Sequence, residues 1–485
     1  MELSELEENV MADTHARYVS RAMLSRHDLE LVLERRWLPE FHLAPPAGFL
    51  RELSGIVAFD TAIHVYYQHG PGSATRSPIC WGHAVTDDFI TWENRNVVLA
   101  PNERWDAQGI MGGSVMGEDD GSLVAFYSAR QFSDPSHPEA GTICTQRLAT
   151  STDGDSFVKD MEIIGLDKNA NLRSPKVWRE GLEWYMVLGG RDPKSGHGAV
   201  WLFKAASSHG PWSRVGVLYI DPDENVQLIE TPDFFELDGK WILTYTPISK
   251  KVDGLSHRNA EEAGYVVGSW APGEEYRVRR EYRTMDHGHN FSRVRSVRYE
   301  GRRIALGWMG TEYPQVSAED NWAGILSIPR VLSLNSELEL CQQPIIAADP
   351  IRYMQFDMFE ENRYALVPAR VYYVDIDKRR FDGDRFVMEV HAVENSCTKI
   401  IWDAALNLLS IDRGSVMFGE RSVRYVPVDP NLNRVRFSVV LDICSVEVFS
   451  ADGTQVLSAL SFPAERSFEN RIAIEGGEGR VIIST

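Results

Sequence analysis

From residue 55 onward the chain reads as short β-branched and aromatic runs interrupted by turn residues: GIVAFDTAIHVYYQHGP, GSLVAFYSAR, EWYMVLGGR, KWILTYTP and RRIALGWMG. Val, Ile, Tyr, Phe and Trp pack well on a pleated backbone, and Gly, Pro, Asp and Asn mark where a strand stops. The pattern predicts an all-β chain. Its runs recur at blade-sized intervals with aromatic and turn punctuation, which fits radial repetition of small antiparallel sheets, a β-propeller, better than one sandwich. The repeats diverge too far for the blades to be counted from pattern alone. A helix is expected only before them, in RAMLSRHDLELVLERRW, whose apolar residues largely sort onto one side among charges.

A second pattern begins near SELELCQQPIIAADPIR, where shorter alternating strands take over: RFVMEVHA, LNLLSIDR, RVRFSVVLD, CSVEVFSADG and GRVIIST. That alternation suits a β-sandwich of ordinary domain size. The expected organisation is therefore a helical appendage over residues 1–38, a propeller over 39–340 and a sandwich over 341–485. No low-complexity linker separates the last two, so they are expected to pack together.

The net charge of −20 repels nucleic acid and anionic membrane surfaces. Neither is expected as a partner. The start of the chain is acidic and lacks an apolar signal segment, and no stretch approaches the roughly 20 apolar residues of a spanning helix. A cytoplasmic protein is expected. Cys80, Cys144, Cys341, Cys397 and Cys444 are odd in number and lack CxxC spacing, so the sequence indicates neither a disulfide framework nor a zinc site. Nothing in it fixes the oligomeric state.

Glu230, in ETPDFFELDGKW, places a charge at the start of an apolar strand. It reads either as a surface acid at a strand end or as a catalytic carboxyl, since glycosidic cleavage uses paired carboxyl groups about the scissile bond. Its surroundings extend the comparison. PEFHLAPPAGFL, HVYYQHGP, CWGHAVTDDFITWEN, RWDAQGIMGGS, FYSAR, STDGDSF, LRSPKVW, ETPDFFELDGKW, RRIALGWMG, NWAGILSIPRVLSL and CSVEVFSADG follow one another in one order. From about residue 36 to its end the chain resembles glycoside hydrolase family 32, in its bacterial β-fructofuranosidase and sucrose-6-phosphate hydrolase branch. The resemblance implies a five-bladed β-propeller followed by a β-sandwich, a retaining mechanism on β-fructofuranosides, and neither metal nor organic cofactor.

It also implies roles, and here the chain departs from its relatives. Where the family has W-x-N-D-P-N-G, this sequence has Phe49, Leu50, Arg51, Glu52, Leu53, Ser54 and Gly55, so Glu52 occupies the nucleophile position. Ser174 stands for the Asp of the R-D-P motif, between Arg173 and Pro175, and a hydroxyl thus replaces a carboxylate. Glu230 keeps the acid/base position, with Thr231 in place of Cys. A displacement on the order of 1 Å at the nucleophile costs about a hundredfold in rate, and loss of an electrostatic partner costs about 3–4 kcal/mol. Ordinary invertase turnover is expected to be weak or absent.

Gln68, Trp81, His83, Asp106, Asp233 and Trp308 match positions that line or support the family's sugar site. Trp81 and Trp308 read equally as blade-core aromatics, and His83 as a residue that satisfies a backbone partner in its strand. Arg51, Ser292, Arg293 and Arg295 are departures that make the pocket more positive, which suits an anionic ligand by bidentate pairing or, alternatively, serves only to neutralise Glu52 or a rim acid. Three functions follow: a divergent glycosidase acting on a fructoside or related sugar, anionic sugars included; a pseudoenzyme that holds a sugar without cleaving it; or an interaction protein with a vestigial pocket. Carboxyl groups of Glu52 and Glu230 about 5–5.5 Å apart would permit retention, and about 6.5–9.5 Å would admit an inverting water. An arginine locking Glu52 would favour binding over cleavage.

Overall fold

A computed structural model describes residues 36–485 apart from 76, 77, 135, 138, 140, 166, 168, 169, 312–314, 348–351, 361 and 467. The helix expected over residues 21–37 lies outside them except for Arg36 and Trp37, which form a turn.

Five sheets follow one another along the chain, blades I to V, and the first strand of each faces a common axis: Gly48–Phe59, Ile110–Gly117, Arg173–Glu180, Leu228–Leu237 and Ser292–Tyr299. These inner strands touch in cyclic order, I against II and onward until V meets I. The ring is a five-bladed β-propeller. It closes where Trp322–Ala323, beyond the second strand of blade V, joins blade I as a parallel strand, with Gly48 opposite Trp322 and Phe49 opposite Ala323. Gly324 makes that approach possible: its φ is +77°, and a Cβ there would fall 1.9 Å from the carbonyl oxygen of Leu50.

Burial is greatest at the second strands and falls at the outer edge for a packing reason. The second strand of blade I, Ala62–Gly70, is buried along almost its whole length because sheets cover both its faces. The outermost strand of blade IV, Arg277–Thr284, alternates exposed and half-buried residues, and its arginines discourage pairing at a free edge. Between blades III and IV the core is aromatic, with Phe234 stacked on Trp241 at 4.7 Å and Trp270 edge-on to Trp241 at 4.7 Å.

Two six-stranded antiparallel sheets drawn from residues 353–484 form the β-sandwich. The strand Leu340–Pro344 still pairs within blade V, so a boundary read at 340/341 falls inside the last blade. Pattern misled here because that strand has the short alternating form of the sandwich strands that follow.

Charged groups buried between propeller and sandwich hold the two together. His42 bonds through Nδ1 to Asp442 and through Nε2 to Glu447, each at 2.8 Å. The guanidinium of Arg330 reaches Asp286 at 2.9 Å and Glu447 at 2.6 Å, all three side chains being fully buried. Burial alone would depress the His42 imidazolium, but the two carboxylates raise its pKa to about 9. Among the described residues no helix is long and apolar enough to cross a membrane.

Candidate active site

Each inner strand carries a register shift near its start: between Leu50 and Gly55 in blade I, Ile110 and Gly113 in blade II, Arg173 and Lys176 in blade III, Glu230 and Asp233 in blade IV, and Ser292 and Arg295 in blade V. An extra residue in one strand bends it and re-aims side chains. Ser174, Thr231 and Arg293 sit in these shifts with φ of 55°, 49° and 54°, a left-handed conformation that costs a non-glycine residue about 1–3 kcal/mol. The repeated irregularity turns side chains of separate blades toward the axis. There Arg51, Glu52, Gln68, Met111, Arg130, Thr142, Cys144, Asn171, Arg173, Ser174, Glu230 and Arg293 enclose a cavity of about 220 Å³.

Glu52 is buried and fully engaged. Gln68 donates Nε2 to its Oε1 at 2.5 Å, while its Oε2 accepts from the Thr231 hydroxyl at 3.2 Å and from Arg293 Nη1 at 3.0 Å. Gly112 leaves room for this carboxylate, since a Cβ there would lie 2.1 Å from Oε1. Glu230 accepts from Arg173 Nη1 at 2.7 Å, and its other oxygen accepts from the same Arg293 Nη1 that serves Glu52. Arg293 also forks onto Glu261, with Nε and Nη2 at 2.9 and 2.6 Å. One guanidinium therefore serves three carboxylates. Two oxygens bonded to one nitrogen lie within about 6 Å of each other, nearer to the ~5–5.5 Å spacing of retaining glycosidases than to the inverting range.

The electrostatics follow from this contact. Burial pushes the Glu230 carboxyl up, but Arg293, Arg173 and Arg51 outweigh it and hold the pKa at about 2. A general acid must carry its proton at the working pH, and this carboxyl gives its proton up well below neutrality. Glu52 offers a sugar no unoccupied oxygen on the Arg293 side. The Ser174 side chain lines the cavity as a neutral hydroxyl, its backbone N–H fixed by the Ser128 hydroxyl at 2.9 Å, which in turn donates to Gln146 at 2.7 Å. It cannot supply the negative charge that an oxocarbenium-like transition state calls for.

The structure brings Glu52, Ser174, Glu230, Gln68, Arg51, Arg173 and Arg293 into one cavity. The other residues expected to bind substrate do not line it. Asp106 is buried beneath blade II, accepting from the backbone of Asn102 and Glu103 at 3.1 and 2.9 Å and pairing with Lys159, so it fixes a turn. Asp233 sits inside blade IV, 3.1 Å from Lys176 and 2.6 Å from the N–H of Ser296. Trp81 packs against Tyr66 and Tyr127, and its indole donates to the Met111 carbonyl at 2.9 Å, which steadies the strand start behind the cavity. His83 meets the His64 ring at 3.1 Å, not a backbone partner. Trp308 donates to the Leu50 carbonyl at 2.9 Å and lines a neighbouring hollow of about 170 Å³ with Ser292, Glu261 and the sandwich residues Glu420 and Arg424. The Arg293–Glu261 pair stands between the two spaces. Arg295 lies beneath the site, tying the Pro232 and Ser174 carbonyls together at 2.5 and 3.1 Å.

The lining residues Met111, Arg130, Thr142, Cys144 and Asn171, and the supporting Thr231, Gly112 and Glu261, escaped the reading of the sequence as site residues. Arg130 follows the apolar run LVAFYSA, and a charge ending such a strand was the available signal. Thr231 was visible only as a replacement. Gly112 and Glu261 gave no signal, one lying in a run of glycines and the other in the polar loop HRNAEEAG. No group of three or more His, Cys, Asp or Glu side chains able to hold a metal ion occurs among the described residues.

Residues 42–344 match the glycosyl hydrolases family 32 N-terminal domain, and residues 357–484 match the glycosyl hydrolases family 32 C-terminal domain. A sucrose-6-phosphate hydrolase of Escherichia coli is 30% identical, the alignment covering 96% of this chain and 98% of that one. A raffinose invertase of the same organism is 29% identical over the same shares. The fold is similar to that of the solved sucrose-6-phosphate hydrolase from Lactobacillus gasseri, with a TM-score of 0.82 at 18% identity over 96% of both chains. Sequence matches spanning both domains and a shared propeller-and-sandwich architecture show that the chain belongs to glycosyl hydrolase family 32.

Proposed function

We propose that this chain holds a β-fructofuranoside or related small sugar in the axial cavity without cleaving it. The observation that carries this reading is Arg293, whose Nη1 lies 3.0 Å from Glu52 and also bonds Glu230, filling the space between the two carboxylates with positive charge. Amide, hydroxyl and charged groups remain around the cavity to recognise a polyol. A nucleophile whose oxygens are already bonded, a carboxyl held near pKa 2 and a serine in place of an aspartate each work against hydrolysis.

A second reading, slow glycosidase action with Glu230 as acid/base and Glu52 as extended nucleophile, is favoured by the close spacing of the two carboxylates. One incubation separates them. Sucrose, sucrose 6-phosphate and inulin are each mixed with a high concentration of protein, beside an E230Q control. The proposed reading expects no fructose above the control; release that E230Q abolishes would establish the glycosidase instead.

A further inference from the structure

Two segments carry Arg293 and its fork partner Glu261, and the β-sandwich grips both. The first, residues 286–290, leads into the inner strand of blade V. Its backbone lies along the sandwich strand Val456–Leu460: the N–H of His287 donates to the Val456 carbonyl at 2.8 Å, and those of His289 and Asn290 to the Ser458 carbonyl at 2.7 and 3.1 Å. Gly288 permits this approach, since a Cβ there would lie 2.1 Å from the nitrogen of Ser458. The His289 ring adds a bond from Nε2 to the Ser422 carbonyl at 3.2 Å.

The second is the loop 257–262, between the second and third strands of blade IV. Glu262 is buried inside it and accepts the N–H groups of His257, Arg258 and Asn259 at 2.7, 2.8 and 3.0 Å, which closes the loop on itself. Asn259 donates Nδ2 to Glu262 at 2.9 Å and to the Gly288 carbonyl at 2.8 Å, so the two segments are joined. Arg424, in the sandwich strand Val423–Pro427, clasps the Asn259 side-chain oxygen from Nε at 3.1 Å and Nη2 at 2.7 Å, and Nη2 also reaches the Arg258 carbonyl at 3.2 Å. Burying a guanidinium costs free energy unless hydrogen bonds compensate it, and these go to the loop. Glu261 is the neighbour of Glu262 in this closed unit, so its fork with Arg293, at 2.9 and 2.6 Å, takes its place from the loop.

We propose that the β-sandwich sets the plug of the axial cavity: Arg424 and Asn259 are positioning residues that aim Arg293 at Glu52 and Glu230 through Glu261. This rests on the reading of the cavity given above and assigns control of its plug to the second domain. The route is a chain of direct contacts, each removable singly.

Carbon-13 NMR of the Glu230 carboxyl reads the position of Arg293. Burial pushes that carboxyl up, and Arg293 is foremost among the arginines that bring it down to about 2. Attraction between charges weakens with distance, so a guanidinium that drifts away lets the midpoint climb. N259A changes no charge and is expected to raise the midpoint by about one pH unit or more, and R424M to do the same. The double variant is expected to add little to either, as two cuts in one route do. R385Q, at a sandwich pair with Asp403 outside the route, is expected to leave the midpoint in place. R424K keeps the charge without the clasp and is expected to raise the midpoint too; it serves as the milder variant where unfolding temperatures show that the others do not fold. An unaltered midpoint in any folded variant of Asn259 or Arg424, an equal rise in R385Q, or rises that add in full in the double variant overturns the proposal. Failure of the sugar-holding reading is distinct, since it appears as E230Q-sensitive fructose release from sucrose by the unaltered chain.

Discussion

Arg293 Nη1 lies 3.0 Å from Glu52 Oε2, so a guanidinium from blade V occupies the oxygen that a nucleophile in blade I would present to a sugar. The contact depends on a backbone oddity, the left-handed Arg293, which turns the side chain in toward the axis. The residue that fills this one bulge reaches both carboxylates.

Substituting Arg293 by Met keeps side-chain bulk and removes the cation. Glu52, Glu230 and Glu261 would then share the space without it, and breaking a buried pair on one side costs about 3–5 kcal/mol. R293M is expected to unfold at clearly lower temperature at pH 7 and to recover part of the deficit at pH 4, where the freed carboxylates take up protons. Calorimetric scans at the two pH values check this, an equal deficit at both indicating lost packing instead.

Restoring the family's acids while removing the plug should recover chemistry. The E52D/S174D/R293A variant is expected to release fructose from sucrose at least about a hundredfold faster than the parent, since one electrostatic partner is worth about 10²–10³ in rate. A folded triple variant with the parent's rate would show that some other feature blocks cleavage.

How much of this was legible beforehand varies by residue. The five-bladed ring was implied by resemblance and not by pattern, because divergent repeats conceal their period. Glu52, Ser174, Glu230, Gln68, Arg51, Arg173 and Arg293 stand together because short motifs at strand starts carry them, and motif order survives divergence. Trp81, Trp308, Asp106 and Asp233 share those motifs, but their side chains leave the opposite face of the strand or turn inward to backbone groups, which a linear match does not resolve. Glu261 reaches Arg293 across blades, and such a contact leaves no trace in local sequence.

The His42 contact predicts how stability depends on pH. The folded pKa near 9 exceeds the unfolded value of 6.5, so this contribution is complete below pH 6.5 and disappears as the pH rises through 9. Asp442 and Glu447, both held near 2 despite burial, contribute above the usual carboxylate range and lose that contribution as the pH falls toward 2. Urea unfolding at pH 6.5 and 9 should show a fall of at most about 1.4 kcal/mol per pH unit from this proton, and H42Q should flatten it. An unchanged slope in H42Q would assign the effect to other groups.

Gly324 tests the closure of the ring. Alanine there meets both a positive φ and the Leu50 carbonyl at 1.9 Å, so G324A is expected to destabilise the propeller by about 1–3 kcal/mol. Gly121, also at positive φ but with open space around it, is the comparison: G121A should cost less, as thermal unfolding of the two variants would reveal.

The titration of Glu230 bears most directly on the claim that neighbouring arginines hold it as the carboxylate. Carbon-13 NMR of the glutamate side-chain carboxyls, with E230Q identifying the resonance, is expected to show Glu230 titrating near pH 2 in the unaltered chain and moving upward in R293M. A midpoint at or above the ordinary value of 4.5 in the unaltered chain would mean that the arginines do not hold this carboxyl ionised, and would contradict the account.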